Sequence, residues 1–227
     1  MAPTPFHDRL AALRSDLVRQ GDRVLALTLR AVDSFFDGDL EKAATVAALD
    51  DEIDRVDVEI ERASIPLLAM GVTDPYDIRS VLTIVKVNNE LERIADCAVD
   101  IAEAVLRERP GGERIPDTFR VMANSVSGML RDTNRAVAEG NAKLAQQVLL
   151  FDDTVSGFKA KILQDASDRI QKGTFTVAFG FRLLAVTKGL ERIADHCTNM
   201  SEQVIYLESG RIVRHRPEGW SEPITPA

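Results

Sequence analysis

A hexapeptide that occurs twice constrains the fold of this chain more than any other feature of its sequence. Leu-Glu-Arg-Ile-Ala-Asp fills residues 91–96 and again residues 190–195, 99 positions later. The match continues past the hexapeptide, because Glu103 aligns with Glu202 at the same offset. Similarity at a fixed spacing is the signature of one structural unit used more than once. The chain is therefore predicted to consist of two related halves.

Both copies of the repeat have the periodicity of an amphipathic helix. The apolar residues of the first copy that share one helical face are Leu91, Ile94, Ala95, Ala98, Ile101, Ala102 and Val105. The residues at the same face of the second copy are Leu190, Ile193, Ala194, Cys197, Met200, Ser201 and Val204, all apolar except Ser201. Glu92, Asp96 and Asp100 fall on the opposite face of the first copy. This pattern predicts a buried apolar seam and a row of carboxylates that faces water.

The remaining sequence extends this pattern to six predicted helices and no strand. Their predicted bounds are residues 5–37, 39–70, 74–109, 117–138, 141–171 and, after a turn at 173–174, a helix that ends near 208. Helices of this length with short connections favour antiparallel bundles. We predict an all-α fold of two tandem, sequence-related three-helix bundles, at residues 1–110 and 113–212, with a polar tail at 213–227. The boundary between the halves is predicted at Pro110, Gly111 and Gly112, which break the helical pattern.

Several individual residues carry their own predictions. Pro66 should kink or shorten the second helix. Leu49 and Leu149 are assigned to the buried seams of the second and fifth helices. The phenylalanines near the start of the sixth helix are assigned to the core or to packing between the bundles; they are Phe175, Phe179 and Phe181.

Composition excludes some classes of function. The net charge of −8 and the pI near 5.0 argue against a nucleic-acid-binding protein. No apolar segment approaches the roughly 20 residues of a membrane span, and residues 1–9 lack a signal-peptide pattern. Cys97 and Cys197 are expected to be buried free thiols, because both fall inside predicted helices. A reducing cytoplasm is the expected location.

A second acidic row lies on the second predicted helix, at Asp50, Asp54, Asp57 and Glu61. A solvated acidic face is one interpretation, since repulsion of about 0.2–0.5 kcal/mol per pair is tolerable in a folded bundle. A metal site is the other, with Asp50 and Asp54 opposite the acidic row of the first repeat. Oxygen ligands without Cys or His suit Mg²⁺, Mn²⁺, Ca²⁺ or iron. His196 lies away from the row and is expected to be exposed or at an interface.

The sequences NNELERIADCAVDIAE and KGLERIADHCTNMSEQVIYLESGRIVRHR, each with a Glu-x-x-x-Asp pattern, resemble the PhoU family of phosphate-transport regulatory proteins. The resemblance extends over about residues 5–216. Ala95 and Ala194 depart from it, because the family usually has glycine there.

The resemblance implies two similar three-helix bundles and a protein without a reaction of its own. It implies negative regulation of the phosphate-starvation response by a cytoplasmic adaptor. The expected partners are the ATPase subunit of a phosphate ABC transporter, a sensor histidine kinase, and a second copy of the chain in a homodimer. Contact with the membrane would be peripheral, through these partners. Iron or zinc, in multinuclear clusters, is the expected metal, with Mg²⁺ or Mn²⁺ as further candidates.

Carried over by position, the expected metal ligands are Asp50, Asp54, Glu92, Asp96, Asp100, Asp152, Glu191 and Asp195. The row of the fifth helix is depleted, because Ser156 aligns with Asp54 and Lys159 aligns with Asp57. Asn199 likewise replaces Asp100 in the sixth helix. Since the affinity of a hard cation follows the number and charge of its ligands, the second half is expected to bind metal less tightly or not at all.

Two enzymatic alternatives remain beside the adaptor. A di-iron carboxylate enzyme would require Glu-x-x-His pairs that point into a bundle, and the sequence contains none. A metal-dependent phosphatase that acts on a response regulator is the other alternative, and turnover of a phosphorylated regulator would distinguish it from an adaptor.

Overall fold

The computed structural model describes residues 5–107 and 112–213, which form six helices and no strand. The helices are α1 (Pro5–Asp37), α2 (Leu40–Ala69), α3 (Pro75–Leu106), α4 (Asp117–Glu139), α5 (Ala142–Gln171) and α6 (Val177–Ser209). Helices α1–α3 pack as one bundle and α4–α6 as a second. The predicted all-α fold of two tandem bundles is confirmed.

Equivalent turns begin the second helix of each bundle. Gly38 and Gly140 both have positive φ values, 64° and 63°, which glycine adopts without steric cost. The next residue caps the helix in each case: the Asp39 side chain accepts from the Lys42 amide, and the Asn141 side chain accepts from the Leu144 amide. The repeat therefore extends from the hexapeptide to the local structure of the turns.

The two helices that carry the hexapeptide join the bundles. α3 and α6 pack against each other extensively, and a smaller contact links α1 to α4. All seven seam residues of each copy are buried, as predicted, and they include the polar Ser201. The helices approach closely at Gly189, where an added Cβ would lie 2.9 Å from Ile101 Cγ1. The hexapeptide helices thus form the centre of the molecule, and α2 and α5 lie outside them.

Three predictions about individual residues are corrected. Leu49 is 43% exposed, because the buried face of α2 is narrow and repeats every seven residues at Val46, Ile53, Ile60 and Leu67. Phe181 is 68% exposed, since two residues rotate a helix by about 200° and Phe179 already faces the core. Of the two effects predicted for Pro66, shortening does not occur, because α2 continues to Ala69, and a kink stays a prediction.

Other predictions are confirmed or fall outside the described residues. Cys97 and Cys197 are buried free thiols. Leu149, assigned to the buried seam, is only half-buried and packs against a small core cluster, so that assignment is confirmed in part. The predicted end of the third helix at Arg109, the boundary residues Pro110 and Gly111, and the tail beyond Val213 lie outside the described part. Within the described ranges, none of the helices has the length and apolarity required to cross a membrane.

Candidate metal centre

Packing of α2 on α3 brings together five carboxylates, here named the first acidic cluster: Asp50, Asp54, Asp57, Glu92 and Asp96. Burial, with the nearby negative charges of Asp54, Asp96 and Asp51, raises the pKa of Asp50 to about 6. Burial also raises the pKa of Glu92, and Asp96, Asp57 and Asp54 add to that shift. The predicted opposition of the two acidic rows is therefore present.

The first acidic cluster has no directly paired base in the described part of the chain, although the charge of Arg93 partly offsets the upward pKa shift of Glu92. Among the described residues, no Lys, Arg or His forms an ion pair with any of its five carboxylates. Asp50 Oδ1 is buried, and no donor in the described part of the chain binds it. Asp57 is held by the Asn88 amide, whose Nδ2 donates to Asp57 Oδ1 at 2.6 Å. A buried acceptor without a donor is costly, and a bound cation would satisfy it.

Asp100 lies apart from the first acidic cluster. Its carboxylate accepts from Arg192 Nη1 at 3.0 Å, across the contact between α3 and α6. It is also not among the charges that raise the pKa of Asp50 or Glu92. The Asp100 side chain is therefore directed to the second bundle rather than to α2.

The equivalent carboxylates of the second half, Asp152, Glu191 and Asp195, form the second acidic cluster. Burial raises the pKa of Asp195, and the charges of Asp152 and Glu191 add to the shift. Burial raises the pKa of Asp152 as well, with contributions from Asp153 and Glu191. The packing of α5 on α6 therefore reproduces the opposition seen in the first half, with fewer carboxylates.

A lysine is bound to the second acidic cluster. Lys159 Nζ lies 2.7 Å from both carboxylate oxygens of Glu191. Its charge also opposes the upward pKa shift of Asp195. The aligned residue of the first half is Asp57, which raises the pKa of Glu92. The two halves therefore share a backbone plan but have opposite charges at this position.

The clusters are not preformed as metal-coordination shells. Within residues 5–107 and 112–213, no group of three or more His, Cys, Asp and Glu side chains is positioned to hold a metal ion. The first acidic cluster fits a cation for two reasons: its side chains are carboxylates, and the buried Asp50 Oδ1 has no hydrogen-bond donor in the described part of the chain. The second does not, because an ammonium group already binds one of its carboxylates.

The family model described as "PhoU domain" matches residues 17–105 and 119–204, one match for each bundle. The chain belongs to the PhoU family. It is 33% identical to a Clostridium acetobutylicum protein named "Phosphate-specific transport system accessory protein PhoU homolog", over 92% of this chain and 96% of that one. A Pseudomonas aeruginosa protein of the same name is 29% identical, over 92% of this chain and 88% of that one.

Two crystal structures of PhoU proteins share the fold. The phosphate transport system regulatory protein PhoU from Streptococcus pneumoniae gives a TM-score of 0.85 at 25% identity, over 92% of this chain and 99% of that one. PhoU from Pseudomonas aeruginosa gives 0.86 at 28% identity, over 91% of this chain and all of that one. Relatives across this PhoU group are thus named for the phosphate transport system, as accessory or regulatory proteins.

Sequence reasoning missed one polar group of this PhoU chain. Glu90 Oε2 lies 2.7 Å from His196 Nδ1 and accepts from Asn199 Nδ2 at 3.0 Å. Burial opposes ionisation of Glu90, but hydrogen bonding with His196 and Asn199 outweighs it and lowers the pKa of Glu90. The expectation of an interface histidine is confirmed. The available signal was the repeat itself, because Glu90 aligns with Gly189 and so departs from the symmetry.

Proposed function

We propose that this protein is an accessory regulator of phosphate transport that acts by binding and catalyses no reaction of its own. The main support is the match of the PhoU family model to both bundles. Relatives that align with nearly the whole chain are named as phosphate-transport accessory proteins. The acidic clusters offer carboxylates to a cation but lack the Glu-x-x-His pairs of a di-iron enzyme. Dephosphorylation of a phosphorylated response regulator by the purified protein, with turnover, would contradict the proposal that the protein catalyses no reaction.

The proposed biological role is negative regulation of the phosphate-starvation response. In this role the protein couples the ATPase subunit of a phosphate ABC transporter to a sensor histidine kinase, as a cytoplasmic adaptor that reaches the membrane through its partners. The support is family membership, which is an analogy at the level of the fold and the sequence.

Deletion of the gene in its native host tests this role. The deletion strain should express phosphate-starvation genes in phosphate-rich medium, and the wild-type gene supplied in trans should restore repression. Capture from detergent-solubilised membranes, with and without phosphate, should recover the transporter ATPase and the kinase. Normal repression and normal phosphate uptake in the deletion strain would overturn the proposed role.

We further propose that the first acidic cluster binds a metal ion, with iron or zinc as the leading candidates and Mg²⁺ or Mn²⁺ as alternatives. The support is a cluster of five carboxylates that has no ion-paired base among the described residues, together with the buried Asp50 Oδ1. Asp50, Asp54, Glu92 and Asp96 would hold the ion after their side chains rearrange around it. The bound ion would neutralise the cluster and fix α2 against α3.

Calorimetric titration of the metal-free protein tests the metal proposal. Replacing Glu92 and Asp96 by alanine should abolish the binding event assigned to the first acidic cluster, and any weaker event should remain. These two residues and Asp50 carry the negative charge that attracts the ion. Replacing Glu191 and Asp195 by alanine is the matched control and should leave that event intact. A tighter event that depends on the second pair instead would contradict the assignment.

Homodimer formation is also proposed, on the basis of family membership. Light scattering at high micromolar protein concentration should give twice the chain mass. A monomer mass under these conditions would count against a homodimer.

A further inference from the structure

The pairing of Lys159 with Glu191 distinguishes the two halves more sharply than the count of carboxylates. Lys159 extends from α5 to α6 and places Nζ 2.7 Å from both oxygens of Glu191. The two side chains are 35% and 23% exposed, so the pair is partly shielded from water. An ammonium ion shared between both oxygens of a carboxylate makes the contact that a monovalent or divalent cation would otherwise make.

The first half has the reverse arrangement at the aligned position. Asp57 stands where Lys159 stands, and its charge adds to the repulsion that already raises the pKa of Glu92. The first acidic cluster therefore holds five carboxylates without an ion-paired base among the described residues, whereas the second holds three carboxylates and an ammonium group. In the described part of the chain, only the second acidic cluster therefore has a basic side chain paired with one of its carboxylates.

We propose that Lys159 is a tethered cation that replaces a metal ion in the second half of the protein. A divalent ion at Glu191 would have to displace the ammonium group and then remain close to it, and the two positive charges would repel each other. With fewer carboxylates to offset that repulsion, the site has little affinity for a hard cation. The chain thus contains one half that requires a cation and one that is independent of it.

The contrast between the halves rests on the proposed metal site of the first half. The role proposed for Lys159 in the second half does not depend on that metal site. The consequence for the second half is structural. Its α5–α6 contact is neutralised in every condition of metal supply, whereas the α2–α3 contact responds to the metal. A change in metal supply would therefore alter the first bundle and leave the second unchanged.

The test is to remove the tethered cation and measure Mn²⁺ binding by calorimetry on the full chain after chelator treatment. Lys159→Asp restores the negative charge that Asp57 has at the aligned position of the first half, and it should add a binding event that the wild type lacks. Lys161→Asp, at an exposed position of the same helix, introduces the same charge and should not add one. Glu191→Ala in the Lys159→Asp background should remove the added event.

Thermal unfolding provides a second readout. Without metal, Lys159→Asp should have a lower melting temperature than the wild type. Addition of Mn²⁺ should raise the melting temperature of Lys159→Asp by more than it raises that of Lys161→Asp. If Lys159→Asp is folded by circular dichroism but gains no binding event, the inference is overturned. It is also overturned if the wild type already has a binding event that Glu191→Ala removes.

These measurements separate the two proposals. A wild type that binds no Mn²⁺, with a Lys159→Asp variant that binds it through Glu191, would contradict Mn²⁺ binding at the first acidic cluster and support the tethered cation. A wild type that binds through Glu92 and Asp96, with a folded Lys159→Asp variant that binds no more, would contradict the tethered cation alone.

Discussion

Arg192 Nη1 lies 3.0 Å from Asp100 Oδ2, so an arginine of the second hexapeptide binds a carboxylate of the first repeat. The two side chains are 44% and 62% exposed. An ion pair as exposed as this contributes less than about 1 kcal/mol to stability. Its more important consequence concerns the metal proposal, because it directs Asp100 away from the first acidic cluster.

We therefore expect Asp100 to have a smaller effect on metal binding than Asp96, although both were carried over as ligands by family resemblance. Asp96→Asn should weaken Mn²⁺ binding by about tenfold or more, because it removes a charged ligand. Asp100→Asn should weaken it by only about twofold, since its carboxylate is distant and partly neutralised. Calorimetric titration of both variants checks this, and equal losses would show that Asp100 is a direct ligand.

The fold was largely predictable because its signals are local and repeated. Glycine, proline and aspartate mark the helix ends, and the duplicated hexapeptide fixes the number of bundles. The errors at Leu49 and Phe181 have a different origin. Periodicity shows which direction a side chain faces, but not how wide a surface the neighbouring helices cover. That width depends on tertiary packing, which left α2 with a narrow buried face.

The candidate site was predictable in composition but not in pairing. Spacing placed Asp50, Asp54, Glu92 and Asp96 on facing rows, and the structure brings those rows together. It could not show that Arg192 binds Asp100 or that Glu90 binds His196, because both pairs join residues of different bundles. Both pairs involve positions where the two copies of the repeat differ, and those differences mark the contact between α3 and α6.

The raised pKa of Asp50 predicts how the stability of the metal-free protein depends on pH. The folded value is about 6, whereas the unfolded value is about 3.9. Between these values the folded state holds Asp50 protonated to a greater extent than the unfolded state, so the contribution of Asp50 to stability falls as pH rises from about 4 to about 6. Above pH 6, Asp50→Asn should therefore raise the free energy of unfolding by on the order of 1 kcal/mol.

Urea unfolding of the chelator-treated protein across this pH range checks the Asp50 prediction. The gain from Asp50→Asn should shrink as the pH falls toward about 4, where Asp50 is protonated in the folded wild type. Glu59→Gln, at an exposed position of the same helix, is the matched control and should not show this trend. A loss of stability in Asp50→Asn at neutral pH would mean that the charge is stabilised by a partner.

Placing a lysine in the first half should reproduce the arrangement of the second. Asp57→Lys would direct an ammonium group toward Glu92, as Lys159 does toward Glu191. Calorimetric titration should then show no tight Mn²⁺ binding. Asp57→Asn is the control, because it removes the negative charge but keeps an oxygen that can accept from Asn88, and it should retain binding with weakened affinity. If Asp57→Lys binds Mn²⁺ as tightly as Asp57→Asn does, a tethered ammonium does not exclude the metal.

The close approach of the two bundles at Gly189 provides a test of their packing. A Cβ at Gly189 would lie 2.9 Å from Ile101 Cγ1 and 3.7 Å from the Cys97 carbonyl oxygen, in a fully buried contact. Overpacking of a core by a methyl group costs about 1–3 kcal/mol, and the better helix propensity of alanine offsets up to about 1 kcal/mol of that. Gly189→Ala should therefore lower the free energy of unfolding. Gly157→Ala, at an exposed helical position with nothing within 4 Å of the added Cβ, should raise it by about 0.5–1 kcal/mol. Urea unfolding of both variants gives the comparison, and equal stabilisation by the two substitutions would show that α3 and α6 can separate without cost.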